Sequence, residues 1–271
     1  MSNFVKRTLT AAVFVAVLLG CTYYSQLSFA LLFFIITTLG LWEFYGLSEK
    51  TNARPQKLMG TLTGAALFAV SALVTMNWCK PQMLIAVVPL CFLIFILELY
   101  TKASNPFKNI AFTLLGIFYV ALPFSLLNFI TSNNGTYSFE LLFGFLFILW
   151  SNDTGAYLTG SAIGKTKLFP RVSPGKSWEG SIGGAVLSYI VAFIISGWYT
   201  VITTTDWMVV ASILIVIGTL GDLVESLFKR SIGVKDSGSL LPGHGGVLDR
   251  FDSLILATPF VFSYLYLAKA F

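Results

Sequence analysis

Apolar runs of about 18–20 residues recur along the whole chain, each long enough to cross roughly 30 Å of hydrocarbon as a helix. About nine are predicted, at 8–25, 27–48, 59–78, 82–101, 109–130, 137–160, 181–201, 207–228 and 252–269, with polar or glycine breaks in 8–25 and 137–160. A soluble globule does not suit a sequence that is 56% hydrophobic and only 11% charged, with a mean hydropathy of +0.82. The expected class is an all-α polytopic membrane protein. The first run follows Lys6 and Arg7 but has no small-residue cleavage site at its end, so it is read as a retained helix. Cys21, Cys79 and Cys91 lack metal-like spacing and read as small hydrophobes in or beside apolar helices.

With the N-terminus inside, all of the 17 lysines and arginines except Lys80 and Lys269 fall on one side of such a membrane. That is the asymmetry of the positive-inside rule. The net charge of +5 is then topology and attraction to anionic lipid, and nucleic acid is not needed as a partner.

Acids are unevenly spread: of 12, only Glu43, Glu49, Glu98 and Glu140 precede residue 150. Residues 1–135 therefore read as a transmembrane scaffold and 136–271 as a transmembrane catalytic region. Two polar loops in the second region, 161–180 and 229–251, both on the predicted cytoplasmic side, hold most of the unusual sequence.

On a helix Asp222, Glu225, Ser226 and Lys229 share one face, and carboxylates at a membrane helix end are costly unless they meet a cavity, a cation or a partner. For Glu225, an ion pair with Lys229 that caps the helix end is an equal alternative. Asp249 and Asp252, three apart at the start of the last span, also share a face. Together with Asp222 they offer hard oxygen ligands of the kind Mg²⁺ takes beside phosphates and water; a helix cap would account for one of them. A zinc site is not expected, because one histidine and scattered cysteines do not supply its ligands. Gly243, Gly245 and Gly246 around His244 suit a turn whose N–H groups face an anion. His244 itself reads as a phosphate donor, a proton shuttle or a plain loop residue.

The loop at 161–180 carries Lys165, Lys167, Arg171 and Lys176 among hydroxyls and glycines, a composition suited to polyphosphate and equally to lipid headgroups. A positive-inside loop with no ligand has the same composition. Gly160 to Thr166 is not a P-loop, having one residue too few between its glycines and no strand before it. Asp153 stands in an otherwise apolar helix among Ser151, Asn152 and Thr154, the setting of a functional acid.

Ser226-Leu227-Phe228-Lys229-Arg230, then Lys235-Asp236-Ser237-Gly238, then Leu241-Pro242-Gly243-His244-Gly245-Gly246-Val247-Leu248-Asp249-Arg250-Phe251-Asp252 resembles the signature of the phosphatidate cytidylyltransferases, or CDP-diacylglycerol synthases. Asp153 to Gly180 is similar to a second stretch of that family, departing from it at Ser161, Gly175 and Trp178. The resemblance implies that phosphatidic acid and CTP give CDP-diacylglycerol and pyrophosphate, with Mg²⁺ and a second, monovalent cation such as K⁺. It implies Asp222 and Asp249 as metal ligands with Ser226, and Asp252 as a ligand or its support. His244 joins the catalytic set. Lys229, Arg230, Lys235 and Arg250 would meet triphosphate or headgroup, Gly245 and Gly246 would seat phosphate oxygens, and Lys165, Lys167, Lys176, Asp236 and Asp153 would complete the substrate site. The implied setting is the bilayer of a bacterial inner membrane, with N-terminus and active site cytoplasmic, and a homodimer is allowed.

Three other classes fit less well. CDP-alcohol phosphotransferases need two aspartate pairs at a glycine-containing spacing absent here. Polyprenol kinases share parts of the C-terminal pattern but act on a different lipid. An ion-coupled transporter using Asp153 and Asp222 would show two similar halves, and this chain is lopsided.

Overall fold

The computed structural model describes residues 3–133, 135–238 and 245–268. Helices dominate, and among the described residues seven are long and apolar enough to cross a membrane: Gln26–Glu49, Lys57–Thr75, Pro81–Leu99, Pro106–Ile130, Glu140–Ile163, Trp178–Trp198 and Thr204–Ser231. The remaining two of the nine predicted spans correspond to a shorter apolar helix, Thr8–Tyr24, and to the last helix, Leu248–Leu267. The residues form two compact units: Met1–Tyr137 with Val234–Phe251, and Ser138–Gly233 with Asp252–Phe271. Val234–Phe251, which the sequence alone groups with the C-terminal region, thus packs with the N-terminal stretch.

The first unit contains α1 (Asn3–Tyr24), α2 (Gln26–Glu49), α3 (Lys57–Thr75) and α4 (Val87–Leu99), the last entered through a 3₁₀ turn at Pro81–Ala86. Next, α5 (Pro106–Gly116) passes through a π-helical turn, Ile117–Ala121, into α6 (Leu122–Ile130). Pro123 has no N–H to give the carbonyl four residues back, and the widened turn accommodates that loss. Strands β1 (Ser132–Asn133) and β2 (Thr136–Tyr137) then pair antiparallel. The core is aromatic: Phe33, Phe124 and Phe251 meet edge to face, with Phe124 and Phe251 centroids 5.4 Å apart. Buried Glu98 on α4 is satisfied by the side-chain amides of Gln56 and Asn109, at 2.6 and 2.7 Å, as an acid in an apolar setting must be.

The second unit contains α7 (Glu140–Ile163), α8 (Trp178–Trp198), α9 (Thr204–Ser231) and most of α10 (Leu248–Leu267). Between α7 and α8 the polar segment is a β-hairpin, β3 (Lys167–Phe169) paired antiparallel with β4 (Ser173–Ser177). Small residues let α7 and α8 meet backbone to backbone. A Cβ on Gly184 would stand 2.6 Å from the Asn152 carbonyl oxygen, and one on Gly155 2.9 Å from that of Gly183. Close approach through small residues is how helices associate where lipid supplies no hydrophobic drive. A capping box opens α9: Thr203 accepts from the Asp206 N–H, and the Asp206 carboxylate accepts from the Thr203 N–H. Lys229 and Arg230 lie in its last turn, complementing the helix dipole.

Candidate active site

In the second unit, α9 and α10 bring three acids together. Asp222 and Glu225 are one helical turn apart on α9, and Asp252 stands in the part of α10 that belongs to this unit. Each can offer a carboxylate oxygen within 4.8 Å of the others. The approach depends on Gly221, where a Cβ would come 2.7 Å from the Asp252 carbonyl oxygen. Ser226 reaches the same cluster, its hydroxyl donating to Asp222 Oδ1 at 3.4 Å.

Two lysines face these acids. Lys229 Nζ donates to Glu225 Oε2 at 3.1 Å, both side chains being nearly buried. Lys176, on β4, is ion-paired with Asp222 Oδ2. The hairpin that delivers Lys176 is fixed at its base. The Glu179 carboxylate accepts the N–H groups of Lys165 and Thr166 at 3.1 Å, the Trp178 N–H donates to the Thr166 carbonyl at 2.9 Å, and Ser177 caps α8 through the Gly180 N–H. Asp153 lies beside Lys176 in the lining of a cavity of about 450 Å³, with Asn152, Gly160, Ser177 and Thr219.

Among the described residues, this cluster sets three carboxylates beside two ammonium groups. Oxygens so close repel unless a cation or a proton lies among them. The donor set is oxygen only, the hard ligands that Mg²⁺ takes beside water and phosphate. The residues present therefore fit a hard divalent cation.

Asp249 is committed differently. Within the first unit its Oδ2 accepts the N–H groups of Ser237 and Gly246, at 2.9 and 2.8 Å. At Gly245, φ +80°, an added Cβ would overlap the same carboxylate, a place only glycine fills comfortably. Gly246, expected to seat a phosphate, thus gives its N–H to Asp249. Glu43 of α2 joins this segment, accepting from the Ser237 hydroxyl and from the N–H groups of Val247 and Leu248. Lys165, Lys167, Arg230, Lys235, Asp236 and Arg250 are exposed, and His244 lies outside the described residues.

One residue that the sequence reading gave no role, Glu43, therefore sits among the acids and loops of interest. Glu225, left open there between a functional acid and an ion pair with Lys229, both pairs with Lys229 and stands beside Asp222 and Asp252. Glu43 had only the cost of an acid in an apolar span; its partners lie some 200 positions on, and nothing local announces them.

Comparison with known proteins adds an independent observation. Residues 5–268 match the model of the Cytidylyltransferase family. A phosphatidate cytidylyltransferase of Haemophilus influenzae is 36% identical, over 96% of this chain and 98% of its own. One from Staphylococcus haemolyticus is 34% identical over 93% and 95%. A third, from Staphylococcus aureus, is 41% identical over 67% and 69%.

Proposed function

The chain belongs to the cytidylyltransferase family and is a nucleotidyltransferase of the membrane, and from that premise we propose how it makes CDP-diacylglycerol from CTP and phosphatidate. A phosphate oxygen of phosphatidate attacks the α-phosphorus of CTP; the new P–O bond forms as the bond to the β-phosphate oxygen breaks, and pyrophosphate leaves with that electron pair. A phosphate monoester with its second pKa near about 6 is already largely a dianion at neutral pH, so no residue has to remove a proton. The protein's task is to hold like-charged groups in line and to offset the charge that builds on the leaving group.

The observation that carries this reading is the convergence of Asp222, Glu225 and Asp252 beside Lys176 and Lys229. Asp222 and Asp252, with Glu225 and the Ser226 hydroxyl, would hold Mg²⁺. When bound, that ion polarises a phosphoryl oxygen and neutralises its charge. Lys176 and Lys229 then exchange a carboxylate partner for a phosphate oxygen, which positions the triphosphate. Asn152 and Thr219, joined by a hydrogen bond of 3.4 Å in the cavity wall, give the substrate polar contacts away from the phosphates.

The positive-inside asymmetry supports a cytoplasmic N-terminus and active site, in a bacterial inner membrane if the cell is of the relatives' kind. CTP then arrives from the cytoplasm and the lipid from the bilayer. Purified protein given phosphatidate, CTP and Mg²⁺ should release pyrophosphate, and omission of either substrate should stop it. Release by Asp222→Asn at the wild-type rate across Mg²⁺ concentrations would overturn the assignment of the metal.

A further inference from the structure

We propose that the first unit carries a phosphate site of its own, formed where α2 leads into α3 and α4 into α5, and that it takes the headgroup of an anionic phospholipid. These two loops and the adjoining helix ends line a cavity of about 840 Å³, within the roughly 300–1,000 Å³ of small-ligand sites, and every lining residue belongs to this unit. Its two cations come from different loops: Arg54 from the first and Lys102 from the second, both exposed. Among the described residues neither side chain has a hydrogen-bond or ion-pair partner. Two neighbouring cations are already committed: Lys57 lies over the Trp42 ring, 4.1 Å from its centroid, and Lys108 donates to the Thr51 carbonyl oxygen. Beneath the cavity, buried Asn109 accepts the Arg54 N–H at 2.7 Å and donates to Glu98, and Gln56 donates to the same carboxylate. The backbone that presents Arg54 is therefore tied to α4 and α5. Joining the loops needs nothing more, and it makes no use of the charged ends of Arg54 and Lys102. A phosphate between them would accept from both, and Asn52, Ser104 and Asn105 add neutral donors. Two cations against the acid in the lining, Glu49, leave a single net positive charge, which suits one phosphodiester with a headgroup hydroxyl better than a polyphosphate. Lipid is favoured over a free anion by the surroundings. Leu99, Tyr100 and Phe107, which flank the second loop, are 81%, 82% and 76% exposed, and Phe92 and Ile96 continue the exposed face of Leu99 along α4, where acyl chains can lie. Basic pockets at the ends of membrane helices hold anionic headgroups, and aromatic side chains mark the interface at which those headgroups sit.

The purified chain, freed of lipid in a neutral detergent, tests this by native mass spectrometry with phosphatidylglycerol, phosphatidylcholine and inorganic phosphate as separate probes. Phosphatidylglycerol should bind more tightly than phosphatidylcholine, and Arg54→Gln and Lys102→Gln should each weaken its binding by about tenfold. Lys50→Gln removes an equal charge from the first loop without touching the cavity lining, and should change binding by less than about twofold. An equal loss in Lys50→Gln would reduce the effect to diffuse attraction and overturn the site. Binding of the two lipids alike, or wild-type affinity in both Arg54→Gln and Lys102→Gln, overturns it as well. Inorganic phosphate that binds in an Arg54-dependent way while phosphatidylglycerol does not would overturn the assignment to lipid. Both replaced side chains are exposed, and the bond to Asn109 comes from the Arg54 backbone, so the variants should unfold at the wild-type temperature. If Arg54→Gln does not fold, Lys102→Gln carries the same comparison. Phosphatidylglycerol lacks the phosphate monoester that the proposed reaction needs, so its binding is read independently of turnover.

Discussion

Lys176 of β4 is ion-paired with Asp222 of α9, and both side chains remain about a third accessible. A pair so placed is worth little to stability, because water screens it. Its value is that a cation already waits where a carboxylate and a phosphate would compete for it. Lys176→Met should therefore lower kcat/KM for pyrophosphate release by about 100-fold while shifting thermal unfolding by less than about 1 kcal/mol. An intact rate would remove Lys176 from the site.

Glu225 separates a metal-binding role from an ion-pairing one. If it shares the cation with Asp222 and Asp252, Glu225→Gln should raise the Mg²⁺ needed for half-maximal rate by about 10–100-fold. Titration of activity with Mg²⁺ after chelation reads this directly. A curve superimposable on wild type would leave Glu225 as the partner of Lys229 alone.

The contact of α7 with α8 has no room for a methyl group at Gly184, since the atom it would meet is backbone. Gly184→Ala should cost about 1–3 kcal/mol, seen as a lower unfolding temperature in detergent. Gly197, on the same helix with no heavy atom within 4 Å of an added Cβ, is the control: Gly197→Ala should stabilise slightly or do nothing.

Thr203 opens the same helix that carries Asp222, at the opposite end, roughly 28 Å away along the helix axis. Thr203→Ala should remove about 1 kcal/mol of stability by breaking the capping box and leave kcat/KM within about twofold. A large loss of activity would mean that this helix passes disturbance along its length.

Much of the fold was legible because membrane helices announce themselves by length and apolarity, and the seven helices long enough to span fall on predicted runs. The hairpin at Lys167–Ser177 was not. Its strands are three and five residues long, and Pro170, Pro174 and Gly175 read as plain loop punctuation. In the site, the face of α9 followed from helical spacing, so Asp222, Ser226 and Lys229 could be named from sequence. Asp252 was grouped with Asp222 on the same spacing argument; the attachment of Asp249 to Ser237 and Gly246 was not foreseen. Spacing of three puts both aspartates on one face and cannot say which is drawn into backbone bonds. Glu43 was illegible for a related reason: a lone acid in an apolar run has a cost that sequence reveals and a partner that it does not.

The hairpin stands with both feet on helices that touch backbone to backbone, and its base is knotted by Glu179, Ser177 and the Trp178 N–H. Such a base offers no hinge. Lys176 is then less like a flexible arm sweeping for substrate than like a fixed electrode, whose setting changes only if α7 and α8 shift together.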